Sequence, residues 1–365
     1  MKAILLTALL LGSEHASYDS KHLLMKGDIT LEHPLGKVHS EKAWIEGMEF
    51  EEGSPMQIYL EEKVDFLFST GAHLKCDKAH FDYSAKKAFF LGKKISYEDK
   101  LEEKDLVINC LELEAELIPQ KKALSLFDIQ TMIFQGEVEI SFDQLKAEGG
   151  KAVFKRHSLD TEKKWIGFLD LYPRLLEMNC RLSHSQAEIY SKNVRFDLQK
   201  NSLFFDDPKG KLLFQDPMFF SAKQLTWKKS DDLWVFEEKV SLNSSSFFLS
   251  SDHASLIYSL KDEEPKTILF EGNVHFISKA NLPKKSVGIA DEIRYFPSEK
   301  KLILKSFSPK KVLLLQEENS LQLSAPEIHI INDQARGIGD VRCTFQSDEE
   351  KKLMEFFESY LQFNL

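Results

Sequence analysis

The stretch 270–279, FEGNVHFISK, alternates residue by residue. Phe270, Gly272, Val274 and Phe276 fall on one side of an extended chain. Glu271, Asn273, His275 and Ile277 fall on the other, the period of two that marks a strand. Three further stretches repeat its order: MKGDITLEH at 25–33, FQGEVEISF at 134–142 and GIGDVRCTF at 337–345. Each places glycine first, then an acidic or amide residue, then Val or Ile. Glycine permits a positive φ at a sharp bend, and the polar residue after it supplies atoms for a local hydrogen bond. On this reading Gly27, Gly136 and Gly272 mark corners where one strand ends and the next begins. The β-branched residue then opens the next strand on its inward face.

The corners belong to a longer period. Ala43, Ala79, Ala115, Ala152, Ala187, Ala222, Ala254, Ala290 and Ala325 recur at intervals of 36, 36, 37, 35, 35, 32, 36 and 35 residues. A large apolar residue follows each. It stands two positions on at Ile45, Phe81, Leu117, Phe154, Ile189 and Leu256, and three positions on at Leu225, Ile293 and Ile328. One extra residue flips the faces of a strand unless a bulge absorbs it, so the spacing predicts bulges near Lys223, Asp291 and Pro326. A period of this size signals a stacked architecture. Runs such as AHFDY (79–83) and VRFDL (194–198), separated by charged turns, make the unit hairpin-like rather than a pair of helices. The Lys pairs 86–87, 121–122, 228–229 and 300–301 read as solvated turns and protected sheet edges. Asp206-Asp207-Pro208 and Ser230-Asp231-Asp232 read as turn chemistry.

Two parts depart from the period. Residues 155–180 lack clean alternation and read as an irregular insertion or link. Residues 347–363 read as an amphipathic helix: Ser347 and Glu350 form a capping box, and Leu353, Phe356, Phe357, Tyr360 and Leu361 follow at helical spacing. The run Ala3 to Leu11 after Met1-Lys2 reads as a secretory signal within 1–16, too short to span a bilayer. The expected organisation is therefore a signal peptide (1–16), a β-repeat block (25–154), the link (155–180), a second block (181–346) and the helix.

The 365 residues carry a net charge of −10 and 42% hydrophobic residues, a folded composition without the basic footprint of a nucleic-acid binder. No Walker loop, dinucleotide fingerprint, H-E-x-x-H or G-x-S-x-G is present. The residues point to no catalytic group, no metal site and no cofactor. The stacking of rungs could bring together pairs such as His39 with His73 or His253 with His275, but the histidines read as ordinary half-exposed strand residues. The four cysteines, Cys76, Cys110, Cys180 and Cys343, are scattered without a C-x-x-C, and both pairing and buried free thiols fit their spacing. An enzyme on a right-handed β-helix would have rungs near 20–25 residues and a cluster of charged residues on one face; the period near 36 disfavours it.

The phrases GDITLEHPLGKVHSEKAWI and FEGNVHFISK…SVGIADEIRYFPSEKKLILK resemble the OstA-like (organic solvent tolerance) repeats of the periplasmic lipopolysaccharide-transport bridge proteins. The likeness is clearest in 25–45, 133–154 and 268–345. It implies an all-β fold, a folded-over β-jellyroll or β-taco of stacked antiparallel strands, here followed by the C-terminal amphipathic helix. It implies a periplasmic, non-enzymatic protein whose apolar groove shields the acyl chains of lipopolysaccharide or lipid A. Partners would be other envelope transport proteins, met through terminal strand edges. The inward-facing groove candidates are Ile29, Leu31, Phe81, Val138, Ile140, Val274, Phe276, Ile293, Tyr295, Ile328 and Ile330. The alternative is a structural or protein-binding β-solenoid with a closed, filled interior and no lipid. This chain is about twice as long as a single bridge subunit, and its terminal helix would oppose end-to-end stacking.

Overall fold

The computed structural model describes residues 10–19, 22–33, 36–47, 57–69, 71–101, 104–119, 127–156, 167–174, 179–214, 216–259, 264–279, 286–316, 321–331 and 334–345. Among the described residues are 28 strands and no helix, in a long antiparallel sheet. The all-β expectation therefore holds. The helix expected over 347–363 lies outside the described residues, as does the first part of 1–16. The chain divides into two compact units, Met1–His184 with Lys192–Asn201, and Ser185–Ser191 with Ser202–Leu365.

In the first unit the long strands pair in chain order. His22–His33, Gly36–Glu46, Gln57–Phe68, His73–Asp82, Lys87–Leu101, Lys104–Pro119, Phe127–Phe142 and Leu145–Arg156 each hydrogen-bond to the next. Alternation sets their faces: in Gln57–Phe68, Ile58, Leu60, Val64, Phe66 and Phe68 are buried. Every one of these ladders loses register near its middle, as between Lys26 and Ile29 or Glu61 and Val64. Two consecutive residues there take positive φ: Gly27 and Asp28, Glu62 and Lys63, Gly136 and Glu137. The sequence places a strand end at Gly27, Gly136 and Gly272. Instead each strand runs on through the corner, because only two residues leave the ladder and pairing resumes beyond them. Ile29 and Val138 open the far arm fully buried, as expected.

The corners fold the sheet onto itself. Phe66 is registered with Leu74, and Phe81 with Ile58. Phe66 and Ile58 are eight residues apart on one strand, roughly 27 Å if it were straight. Yet the rings of Phe66 and Phe81 lie 5.9 Å apart. The two arms of each hairpin therefore face one another across a crease. The stretch 155–180 contains a further strand, Gly167–Tyr172, which pairs with Lys151–Arg156 on one side and Val194–Asp197 on the other.

The second unit repeats the scheme. Leu233–Asn243, Phe247–Ser259, Glu264–Ser278 and Ser286–Phe296 pair in order. Positive-φ pairs stand at Glu238-Lys239 and Gly272-Asn273. Phe247 is registered with Ser278 and Tyr295 with Ile268, ten residues apart on their shared neighbour, but their rings meet at 4.9 Å. The three expected bulges all fall at corners. Gly272 and Asn273 stand opposite the single residue Asp291. At Lys223 the chain breaks between Met218–Ser221 and Gln224–Lys228, and the Lys223 N–H donates to the Glu237 and Glu238 carbonyls at 3.2 and 2.9 Å. At Pro326 it breaks between Leu321–Ala325 and Glu327–Ile331. Here, and at Gly339, one strand does end and another begin.

All nine periodic alanines are buried, as are the nine large residues that follow them. The alanines sit beside the corners, close to the register breaks of their ladders. At the open end of the arms, four-residue hairpins close on a left-handed residue: Lys86, Asn201, Asp232 and Lys300. Asp82 Oδ1 accepts from the Ala85 N–H at 2.8 Å, and Asp197 Oδ1 from the Gln199 and Lys200 N–H groups at 3.1 and 3.0 Å. Ser230-Asp231-Asp232 and the Lys pairs at 86–87, 228–229 and 300–301 thus fall at turns, as read. Asp207-Pro208 instead form a corner between Ser202–Asp206 and Lys209–Leu212, bonded to Ala222 and Lys223, and Lys121-Lys122 lies outside the described residues.

Gly272 has φ +76, and an added Cβ would meet Asp252 Oδ2 at 2.7 Å. Gly272→Ala is expected to lower stability by about 1–2 kcal/mol, the cost of a left-handed L-residue, while Lys63→Gly changes it by less than about 1 kcal/mol. Urea unfolding followed by circular dichroism checks both.

Candidate functional site

Both units build the crease from the repeated residues. In the first unit Ile29, Leu31, Phe81, Val138 and Ile140 line it, all with 5% exposure or less. Ile140 is registered with Ile108 and Ala147, and Leu31 with Val38, which extends the lining from strand to strand. In the second unit Val274, Phe276, Ile293 and Ile328 are equally buried, while Tyr295 and Ile330 are half-buried nearer the open end. Ile293 and Ile328 share a row through Leu304, and Tyr295 and Ile330 share the next through Leu302. All eleven candidates thus lie on the inner side of their own unit.

What sequence parity does not reveal is which residues face them from the other arm. Phe66, Phe90 and Phe134 fill the crease of the first unit. Phe81 meets Phe66 across the crease at 5.9 Å and its same-arm neighbour Phe90 edge-on at 5.7 Å, and Tyr97 meets Phe134 across it at 5.8 Å. In the second unit Phe220 meets Phe236 across the crease at 5.3 Å, while Trp227 stacks on its same-arm partner Trp234 at 4.5 Å. Phe90 reaches the inner side through the turn that follows Asp82, which sets it opposite Ala79, and the contacts across the crease need the bend. With these rings in place the two arms pack against each other. Burial holds the Tyr83 hydroxyl well above its ordinary pKa, and that of Tyr295 also, helped by Asp216.

Polar atoms collect at the corners. Ser40, Cys76 and Ser251 stand three residues before a periodic alanine, in SEKA, CDKA and SDHA. Each side chain donates to the carbonyl two residues on: Ser40 to Lys42 at 3.2 Å, Cys76 to Lys78 at 3.2 Å and Ser251 to His253 at 2.7 Å. The acid that follows ties down the corner of the next strand. Glu41 pairs with Lys63 at 2.9 Å, Asp77 accepts from the Lys93 N–H at 2.9 Å, and Asp252 accepts from the Asn273 amide at 2.8 Å. Asp291 does the same for the Phe307 N–H at 2.9 Å. The amide after Gly272 therefore bonds across strands, rather than locally at its own bend, because the neighbouring corner is the nearest acceptor. The sequence reading did not single these residues out; the recurring order Ser/Cys, acid, Lys/His, Ala is the signal that would have found them.

The cysteines find their place in the same scheme. None of the four is joined in a disulfide, and only Cys343 is exposed. Burial pushes the Cys76 and Cys110 thiols up to about 12, Asp77 adding to the effect at Cys76. The histidine pairs do not form: His39 Nδ1 bonds Thr30 Oγ1 at 3.0 Å, His73 bonds Asp65, and His253 stands opposite Glu271.

Among solved structures, this chain is similar to the crystal structure of LptH from Pseudomonas aeruginosa, described as the LptA-homologous periplasmic component of the conserved lipopolysaccharide transport device. The match has 11% identity and a TM-score of 0.32, and covers 36% of this chain and 97% of that one. No family model and no curated protein matches this chain.

A thiol raised to about 12 is ionised in only about one molecule in ten thousand at pH 8, and only the thiolate reacts. Titration with a thiol reagent at pH 8 is therefore expected to modify Cys343 rapidly, and Cys76 and Cys110 only after denaturant is added.

Proposed function

We propose that this chain is a periplasmic lipid-binding protein that shields the acyl chains of lipopolysaccharide in its apolar crease during transport to the outer membrane. The role is binding rather than catalysis. The observation that carries it is the folded-over sheet itself. In each unit aliphatic and aromatic side chains face one another along successive strands, while the polar groups of the repeat gather at the corners. Acyl chains would enter by parting the arms and replacing the contacts between them. Each buried CH₂ contributes about 0.8 kcal/mol, so several chains of a dozen carbons offset the ring contacts that open. The OstA-like phrases identified in the sequence support the same reading. Other envelope transport proteins would add to strand edges such as the exposed His15–Tyr18.

A second reading has its own observation. The near-complete burial of the crease residues fits a closed structural solenoid that carries no lipid. Native mass spectrometry of the purified protein, with lipid extraction of the same sample, separates the two. Bound lipid A, lost in Phe276→Glu and Ile293→Glu but kept in the exposed-turn variant Lys300→Glu, is the expected result. Tyr295→Glu, at a half-buried position, provides a variant that retains the fold. Protein that is free of lipid and takes up no added lipopolysaccharide would establish the closed solenoid instead.

A further inference from the structure

The outer face of the first unit holds a trough of about 590 Å³, whose lining includes Thr131, Ile133, Lys151, Val153, Lys155 and Tyr172. Its size falls within the range of small-ligand sites. The register explains how it is built. Ile133 and Val153 are cross-strand partners and form an apolar floor. Lys151 stands beside Tyr172 at one end, and Lys155 beside Thr131 at the other. The two lysines lie two residues either side of Val153 on one face, about 14 Å apart along the backbone, within convergent reach of their long side chains. Both are exposed.

The charges around the trough are unequal. Asp170 is held by Arg195 at 2.6 and 3.2 Å, and Glu114 by Lys87 at 2.5 Å. That leaves Glu116, opposite Thr131, as the lining carboxylate against two ammonium groups. Among the described residues Lys151 and Lys155 make no ion pair. Burial and the neighbouring Asp170 keep the Tyr172 hydroxyl protonated and able to donate.

We infer that this trough binds a phosphate-bearing amphiphile, its anionic head between Lys151, Lys155 and the Tyr172 hydroxyl, and its short apolar body on Ile133 and Val153. The ammonium groups supply point charges for phosphate, and the valine–isoleucine floor adds what a bare anion cannot use. The site is independent of the crease, because strand alternation puts Ala152 and Phe154 inward and Val153 outward.

Isothermal titration of the full chain with hexyl phosphate, inorganic phosphate and hexanol tests it. Hexyl phosphate is expected to saturate one site at least tenfold more tightly than either half-molecule. The double variant Lys151→Gln/Lys155→Gln should weaken it at least tenfold, while Lys146→Gln, exposed on the same strand, leaves it unchanged. Loss of binding to phosphatidic acid vesicles in the double variant would assign the phosphate to a lipid headgroup; binding of the ester without the vesicles would assign it to a soluble ester. No saturable heat, or equal affinity in the double variant, overturns the site. Inorganic phosphate binding as tightly as hexyl phosphate overturns the role of the apolar floor.

Discussion

Two left-handed residues in the middle of a strand are the constraint on which the rest depends. Without them the strands would form a twisted sheet with one apolar face open to water. With them strands such as His22–His33, Gln57–Phe68 and Phe127–Phe142 turn back, the strands paired to them follow through matching register shifts, and the apolar face finds its partner in its own second arm. The conformation costs an L-residue about 1–2 kcal/mol. Gly27, Gly136 and Gly272 avoid half of that. Glu62 and Lys63 do not, but Lys63 pairs with Glu41 at 2.9 Å and Glu62 with Lys42. Each pair is exposed and individually weak. Their value lies in position, since they cross from one corner to the next and hold successive bends at one level.

The crease explains residue choices that otherwise look unrelated. Alanine recurs beside the corner, close to the register breaks. Large residues follow two or three places on, buried in the lining of the crease. Serine and cysteine exchange at the corner because each needs only a small side chain that donates to the carbonyl two residues on. Cys76 is thus a variant of the position held by Ser40 and Ser251, and its burial makes it inert rather than reactive.

The outer face follows different rules. There cross-strand neighbours stack rather than interlock. Trp44, Tyr59, His80 and Phe89 form a continuous ladder over four strands, with centroid separations of 4.7, 4.3 and 5.9 Å. Such contacts add about 0.5–1.5 kcal/mol each beyond burial. They also keep large rings from presenting their faces to solvent.

The sequence by itself determined the class, the period and the inward set. Alternation assigns a face to each residue through local geometry alone, so Ile29, Val138 and Val274 were legible without any contact. The recurring glycine and the shifted spacing at Leu225, Ile293 and Ile328 located the corners for the same reason. Other features were decided only by the tertiary structure. Whether a corner ends a strand or bends it depends on whether the neighbour resumes pairing beyond it. Which rings fill the crease depends on the angle of the bend, which brings Phe247 to Tyr295 across ten residues of ladder. The partner of Asn273 and the lack of a disulfide among the four cysteines depend on the neighbouring corner. Parity is a property of one strand, whereas a crease is a property of two arms held at an angle.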